Sequence, residues 1–307
     1  MSQVHPCIRR AKEMIIATHE INLKRENDQR EECGMDSKAI FVTGAASGMG
    51  RSTARLFHRE GWFVGAFDVN KEGLQSLEDE LGENCHCGYL DVTDKSAFDH
   101  VMATFGEATC GRLDLMYNNA GIGVAGWFDE TPFDKIMEVV NVNFVGVLNG
   151  IHTAIPLLKE TPGSLCFTTS SSAATFGAPG LAVYAATKHA VKGLTEALSV
   201  ELARFGVRAA DVLPGLIDTP ILRDTPRYEN GAKVEVDGPT VGANAPTEGM
   251  FRMVPPEAVA DCVWEAYHAN KLHWYVPEEI VEIDHAKAAS PEALRDARIA
   301  ASGFKVI

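Results

Sequence analysis

Ala39-Ile-Phe-Val-Thr-Gly-Ala-Ala-Ser-Gly-Met-Gly50 decides the fold. A short apolar run, Ala39 to Val42, ends in a glycine-rich turn, and Arg51 to Glu60 then reads as a helix. Glycines 44, 48 and 50 permit a tight turn and let a pyrophosphate come close to the helix N-terminus. Unpaired N–H groups and the helix dipole favour an anion there, with Ser47 and Met49 beside it. A glycine turn alone is an ordinary turn; the strand before it and the helix after it point to a nucleotide. Asp68 ends the next apolar run and is placed to accept hydrogen bonds from an adenosine ribose. Taken singly, Asp68 reads as a turn former ahead of Asn70.

The alternation continues outward. Apolar runs at Trp62 to Phe67, Tyr89-Leu90, Leu113 to Tyr117, Leu165 to Thr169, Val207 to Leu213 and Leu272 to Val276 alternate with helical spacings such as Lys71 to Leu81 and Ser96 to Phe105. Short apolar strands separated by helices predict parallel βαβ units: an α/β fold, a three-layer doubly wound sheet in a single domain. Ligands of such sheets bind outside the carboxyl ends of the strands. Two helices, from Thr131-Pro132 to about Leu158 and from Tyr184 to Ala203, are so apolar that the sheet alone cannot cover them. They predict a homodimer or homotetramer.

Of 307 residues, 46% are hydrophobic and 23% charged, as in a globular protein rather than a disordered one. A net charge of −14 argues against nucleic acid and anionic membrane surfaces as partners. No run of 18 unbroken apolar residues occurs, and the N-terminus lacks a signal-peptide core. Seven scattered cysteines, an odd number, suit reduced thiols in a cytoplasm. Residues 1–34, with the polar stretch Asn22 to Glu32, are expected to form a mobile extension ahead of a domain at 35–307. Cys85-His-Cys87 has no second ligand cluster at zinc spacing and reads as strand thiols, so no metal is expected.

Tyr184-Ala-Ala-Thr-Lys188 places a phenol and an ammonium on one helix face. A phenol titrates near pH ~10 and serves as an acid–base group when a neighbouring cation favours its phenolate. With this pair in place, the chain resembles the short-chain dehydrogenase/reductase family, in its compact single-domain branch. Thr43 to Gly50 matches the TGxxxGxG turn, Asn118-Asn-Ala-Gly121 the NNAG motif, and Tyr184 with Lys188 the YxxxK motif. Asn143 and Ser171 match the catalytic asparagine and serine, and Pro214-Gly215 with Thr219 the nicotinamide-side loop.

The resemblance implies a Rossmann-type sheet and hydride transfer between an alcohol or carbonyl and a nicotinamide cofactor. It implies that Tyr184 exchanges the proton, Lys188 lowers the phenol pKa and holds the ribose, and Ser171 positions the substrate oxygen. Asn143 is implied to hold a water linking Lys188 to solvent. The cofactor is implied to contact Gly44, Ser47, Gly48, Met49, Gly50, Asp68, Asp91, Val92, Asn118, Ala120, Gly121, Tyr184, Lys188, Pro214, Gly215, Ile217 and Thr219. Asp68, with the uncharged Ser47 and Val69 where NADP-dependent relatives carry a cation, favours NAD over NADP. A segment at about 216–254 is expected to form a substrate lid. Its Ile221, Leu222, Tyr228, Phe251 and Met253, with Ile122, Val124, Trp127 and Phe176, lean toward a hydrophobic alcohol or ketone. Arg223, Arg227 and Arg252 are candidates for meeting an anionic substrate or are simply solvated charges. The alternative function is a cofactor-binding regulator without turnover, against which the complete set Asn143, Ser171, Tyr184 and Lys188 argues.

Overall fold

The computed structural model describes residues 37–302, so the expected extension at 1–34 lies outside the described residues. Seven parallel strands form the central sheet: β1 (Ala39–Thr43), β2 (Phe63–Asp68), β3 (Cys85–Tyr89), β4 (Leu115–Asn118), β5 (Leu165–Thr169), β6 (Arg208–Pro214) and, last in the chain, β11 (His273–Val276). Their order is β3-β2-β1-β4-β5-β6-β11. The chain winds outward from β1 to β3, then crosses to β4 on the other side of β1. The switch point therefore lies between β1 and β4, where a ligand crevice is expected.

Alternation along β1 assigns its two faces. Ile40 and Val42 pack with Phe57 of α1 (Gly48–Arg59), Leu77 of α2 (Lys71–Leu81) and Val259 and Val263 of α8 (Pro256–His268). Ala39 and Phe41 pack with Phe98 and Phe105 of α3 (Lys95–Ala108), Ile151 of α5 (Gly146–Lys159) and Val191 of α6 (Ala182–Glu201). A strand covered on both faces has no polar side, which is why these strands read as continuous apolar runs. Phe41 stacks on Phe67 at 4.3 Å between ring centroids and meets Phe105 edge-on at 5.3 Å. Truncating so fully buried a ring costs about 3–5 kcal/mol.

The long apolar helix is not continuous. α4 (Phe133–Val140) runs through a π-helical turn at Asn141–Val145 into α5, and it starts after Pro132 rather than at a Thr131 cap. One side packs on the sheet, yet Phe133 is 73% exposed and Val200 of α6 is 76% exposed. The 27 residues from Phe133 to Lys159 are long and apolar enough to cross a membrane by length and composition, although scattered polar residues interrupt the apolar run.

The segment expected as a lid carries regular structure, including a hairpin that turns at Asn230-Gly231, both residues having positive φ. β7 (Leu216–Ile217) pairs with β10 (Met253–Val254), α7 (Pro220–Asp224) follows β7, and β8 (Arg227–Glu229) and β9 (Ala232–Val234) form a hairpin. The hairpin is tied to the loop after β4: Ala125 N–H donates to Pro226 O and Tyr228 N–H to Ala125 O. The three arginines of this region are each paired, Arg223 with Asp218, Arg227 with Glu229 and Arg252 with Glu279. They are ordinary surface charges.

Asp211 of β6 is fully buried, and its Oδ1 lies 2.6 Å from His273 Nδ1 on β11. Burial raises the Asp211 carboxyl to about 6. Burial opposes charge on His273, but the hydrogen bond and charge of Asp211 outweigh it and raise the imidazole above its usual value. A carboxyl raised in the folded state binds more protons there than when unfolded, so its contribution to stability falls as pH rises through about 6. His273→Ala removes the hydrogen-bond partner of Asp211 Oδ1. We expect a small loss of stability at pH 5 and a loss of about 3 kcal/mol at pH 8, where the lone carboxyl must ionise or hold its proton against solvent. Thermal unfolding at the two pH values checks this; equal losses would contradict it.

Candidate active site

The crevice lies at the switch point. A cleft of about 500 Å³ opens at the carboxyl ends of β1 and β4 and reaches from Asp68 to Tyr184. At one end the turn after β1 feeds α1, whose N-cap Ser47 makes no side-chain capping bond, leaving the first-turn N–H groups to a ligand. Gly50 has no alternative here: a Cβ would stand 2.1 Å from the Gly44 carbonyl oxygen. Gly44 itself has φ +67°, a backbone that favours glycine. Asp68 is held in place from both sides, its Oδ2 accepting from Ala46 N–H at 3.0 Å and its Oδ1 from Asn70 N–H at 2.9 Å. Asp91 accepts from both the backbone N–H and the hydroxyl of Thr93.

At the other end, Lys188 is buried and donates to the Thr169 carbonyl at 2.8 Å. Its Nζ lies 5.6 Å from the centre of the Tyr184 ring. Burial lowers the Lys188 ammonium to about 8. Burial also raises the Tyr184 phenol above its ordinary value, and the hydrogen bond to Ser171 pulls it back. Desolvation comes first among the causes that shift this phenol and Ser171 opposes it, while the Lys188 ammonium stands beside the ring. Ser170 donates to the Lys188 carbonyl and is spent there, which separates it from its neighbour Ser171.

Of the residues expected at the site, Gly44, Ser47, Gly48, Met49, Asp68, Asp91, Val92, Ala120, Gly121, Ser171, Tyr184, Lys188, Pro214, Gly215, Ile217 and Thr219 line the cleft. Gly50 packs beneath the turn. Asn118 stands behind the cleft with its Nδ2 toward Cys166 Sγ at 4.0 Å, whereas the adjacent Asn119 lines it and donates to the Thr43 and Gly44 carbonyls. Asn143 is fully buried in the π-helical turn. Its amide accepts from Ile122 N–H at 2.8 Å and donates to Ile122 O at 2.9 Å. Its Nδ2 also donates to Thr187 Oγ1 at 3.4 Å, so the side chain ties the loop after β4 to α6. Thr169 was missed because its contribution is a backbone carbonyl, for which residue type carries no signal.

The apolar end is lined by Ile122, Val124, Val139, Val142, Leu222 and Tyr228. Trp127, Phe176, Phe251 and Met253, expected there, lie outside it. Phe176 and Phe251 instead face each other edge-on, 6.4 Å apart, in a cluster with Ile283.

The short chain dehydrogenase family model matches residues 38–230, and the chain belongs to that family of oxidoreductases. It is 32% identical over 254 residues to the 3-oxoacyl-(acyl-carrier-protein) reductase of Thermotoga maritima, covering 81% of this chain and 97% of the relative. It is 38% identical over 195 residues to the mitochondrial borneol dehydrogenase of Lavandula x intermedia, covering 62% and 73% of the two chains. Its structure resembles that of the 3-ketoacyl-(acyl-carrier-protein) reductase from Brucella melitensis complexed with NADH, with a TM-score of 0.67 and 25% identity, covering 78% and 96%.

Proposed function

We propose that this chain is an NAD(H)-preferring alcohol dehydrogenase or carbonyl reductase for small apolar substrates, with Tyr184 as the proton donor and acceptor. One observation carries the reading: the half-buried Tyr184, with Ser171 and Lys188, shares a cleft with the uncapped N-terminus of α1 and the Asp68 carboxylate. These residues fit a nicotinamide dinucleotide. The turn from Gly44 to Met49 would hold the pyrophosphate, Asp68 the adenosine ribose and Asp91 with Val92 the adenine. Ala120, Gly121, Pro214, Gly215, Ile217 and Thr219 would enclose the nicotinamide half.

When bound, the cofactor supplies or accepts a hydride at the substrate carbon. The protein handles the proton. In reduction Tyr184 gives its phenol proton to the carbonyl oxygen; in oxidation its phenolate takes a proton from the hydroxyl. Ser171 positions that oxygen, and Lys188 favours the phenolate as it forms. Asn143 would position the loop at Ile122, beside the Lys188 ammonium.

The apolar lining and the likeness to a borneol dehydrogenase support a hydrophobic alcohol or ketone. The test is a panel of cyclic and terpenoid alcohols with NAD⁺, alongside a 3-oxoacyl thioester with NADH. Turnover of the thioester alone would overturn the small-substrate reading. The exposed apolar residues of α4 and α6 further support a homodimer or homotetramer built through these helices. Sedimentation at low micromolar concentration should show no stable monomer.

A further inference from the structure

Two cations, Arg51 and Arg55, stand one helical turn apart on α1, close to the place where an adenosine 2′-phosphate would lie. Arg51 is the nearer. Its Nη1 donates to the carbonyl of Ala46 at 3.4 Å, and the N–H of that same residue holds Asp68 Oδ2 at 3.0 Å. A single residue therefore links this guanidinium to the ribose site. The rest of the group is occupied on α2: Nη1 donates to Gly73 O at 3.3 Å, and Nη2 to Ser76 Oγ and Glu80 Oε2, both at 3.0 Å. Arg55 donates to both oxygens of Glu80, at 2.6 Å each. Lys71, also near Asp68, has its ammonium 5.0 Å from the Tyr89 ring centre.

We propose that Glu80 is a specificity-determining positioning residue, holding Arg51 and Arg55 against α2 so that neither cation can meet a 2′-phosphate beside Asp68. The inference rests on the NAD-preferring reading above. It extends that reading from one carboxylate to two: Asp68 repels the phosphate, and Glu80 withholds the charges that would neutralise it. The arginine hydrogen bonds hold the Glu80 carboxyl below its usual value, Arg55 having the larger effect, so the clamp is charged at neutral pH. The geometry also says what release would do. Without the Glu80 charge, Nη2 of Arg51 keeps only the Ser76 hydroxyl, and a phosphate becomes its best acceptor.

The test is calorimetric binding of adenosine 2′,5′-bisphosphate and of 5′-AMP, which needs no turnover. The affinity ratio of the two ligands is measured for the wild type, Glu80→Gln, Arg51→Gln and the double variant. Glu80→Gln is expected to raise the ratio about fivefold in favour of the bisphosphate, the size of a partly exposed charge pair. Adding Arg51→Gln, which removes the nearer cation, should abolish most of that gain, and the gain should shrink with added salt. Arg51→Gln alone should leave the ratio unchanged. An unchanged ratio in Glu80→Gln overturns the proposal. So does a fall in Arg51→Gln alone, because it would show that Arg51 already serves the phosphate in the wild type. That second measurement decides the matter even if Glu80→Gln fails to fold. The wild-type ratio reports separately on the underlying reading: a wild type favouring the bisphosphate contradicts NAD preference, whereas the change on substitution reports on Glu80.

Discussion

Tyr184→Phe is expected to lower kcat by about 10²–10⁴-fold while the protein still folds and binds dinucleotide. The substitution removes one oxygen from a half-buried ring, so packing is preserved and only the phenol's polar interaction with Ser171 is lost. What disappears from the reaction is the proton. Lys188 is not expected to take over from where it sits, because its ammonium is buried and anchored 2.8 Å from the Thr169 carbonyl. Steady-state rates with saturating cofactor, together with a direct binding measurement for NADH, check the expectation. A variant keeping half the wild-type rate would sink the assignment of Tyr184 as the acid–base group.

The second large effect concerns the cofactor. We expect kcat/KM with NAD⁺ to exceed that with NADP⁺ by about 10²-fold, and Asp68→Ala to remove most of that difference. Two unit charges ~4 Å apart at an effective dielectric of ~20 repel by about 4 kcal/mol. Asp68 is only half-buried, so solvent screening reduces that figure to about 2–3 kcal/mol, which is about two orders of magnitude. The carboxylate cannot swing away cheaply, since Ala46 N–H and Asn70 N–H hold one oxygen each. Equal kcat/KM values for the two cofactors, or a preference for NADP⁺, would show that Asp68 does not face the ribose.

Local pattern was enough for the architecture. Each strand of the central sheet is an apolar run because both its faces are covered, and each glycine of the turn after β1 sits where a side chain would collide or the backbone is left-handed. The turn and the Tyr184–Lys188 spacing were legible for the same reason, their chemistry being carried by residue type at short range, whereas Ser171 followed only from the family resemblance. The chain by itself therefore determined a doubly wound sheet, a nucleotide turn and a phenol–ammonium pair.

Tertiary structure alone decided what depends on backbone groups and on distant partners. It directed the Asn143 amide to Ile122, gave the Thr169 carbonyl to Lys188, and placed Asn119 rather than Asn118 in the cleft. It paired β7 with β10 within the lid segment, between residues about forty positions apart, which no local periodicity records. It also joined Arg51 of one helix to Glu80 of the next. Whether a charged side chain faces a ligand or a neighbouring helix is settled by which acceptor the fold brings within 3 Å, and sequence spacing along one helix cannot supply that distance.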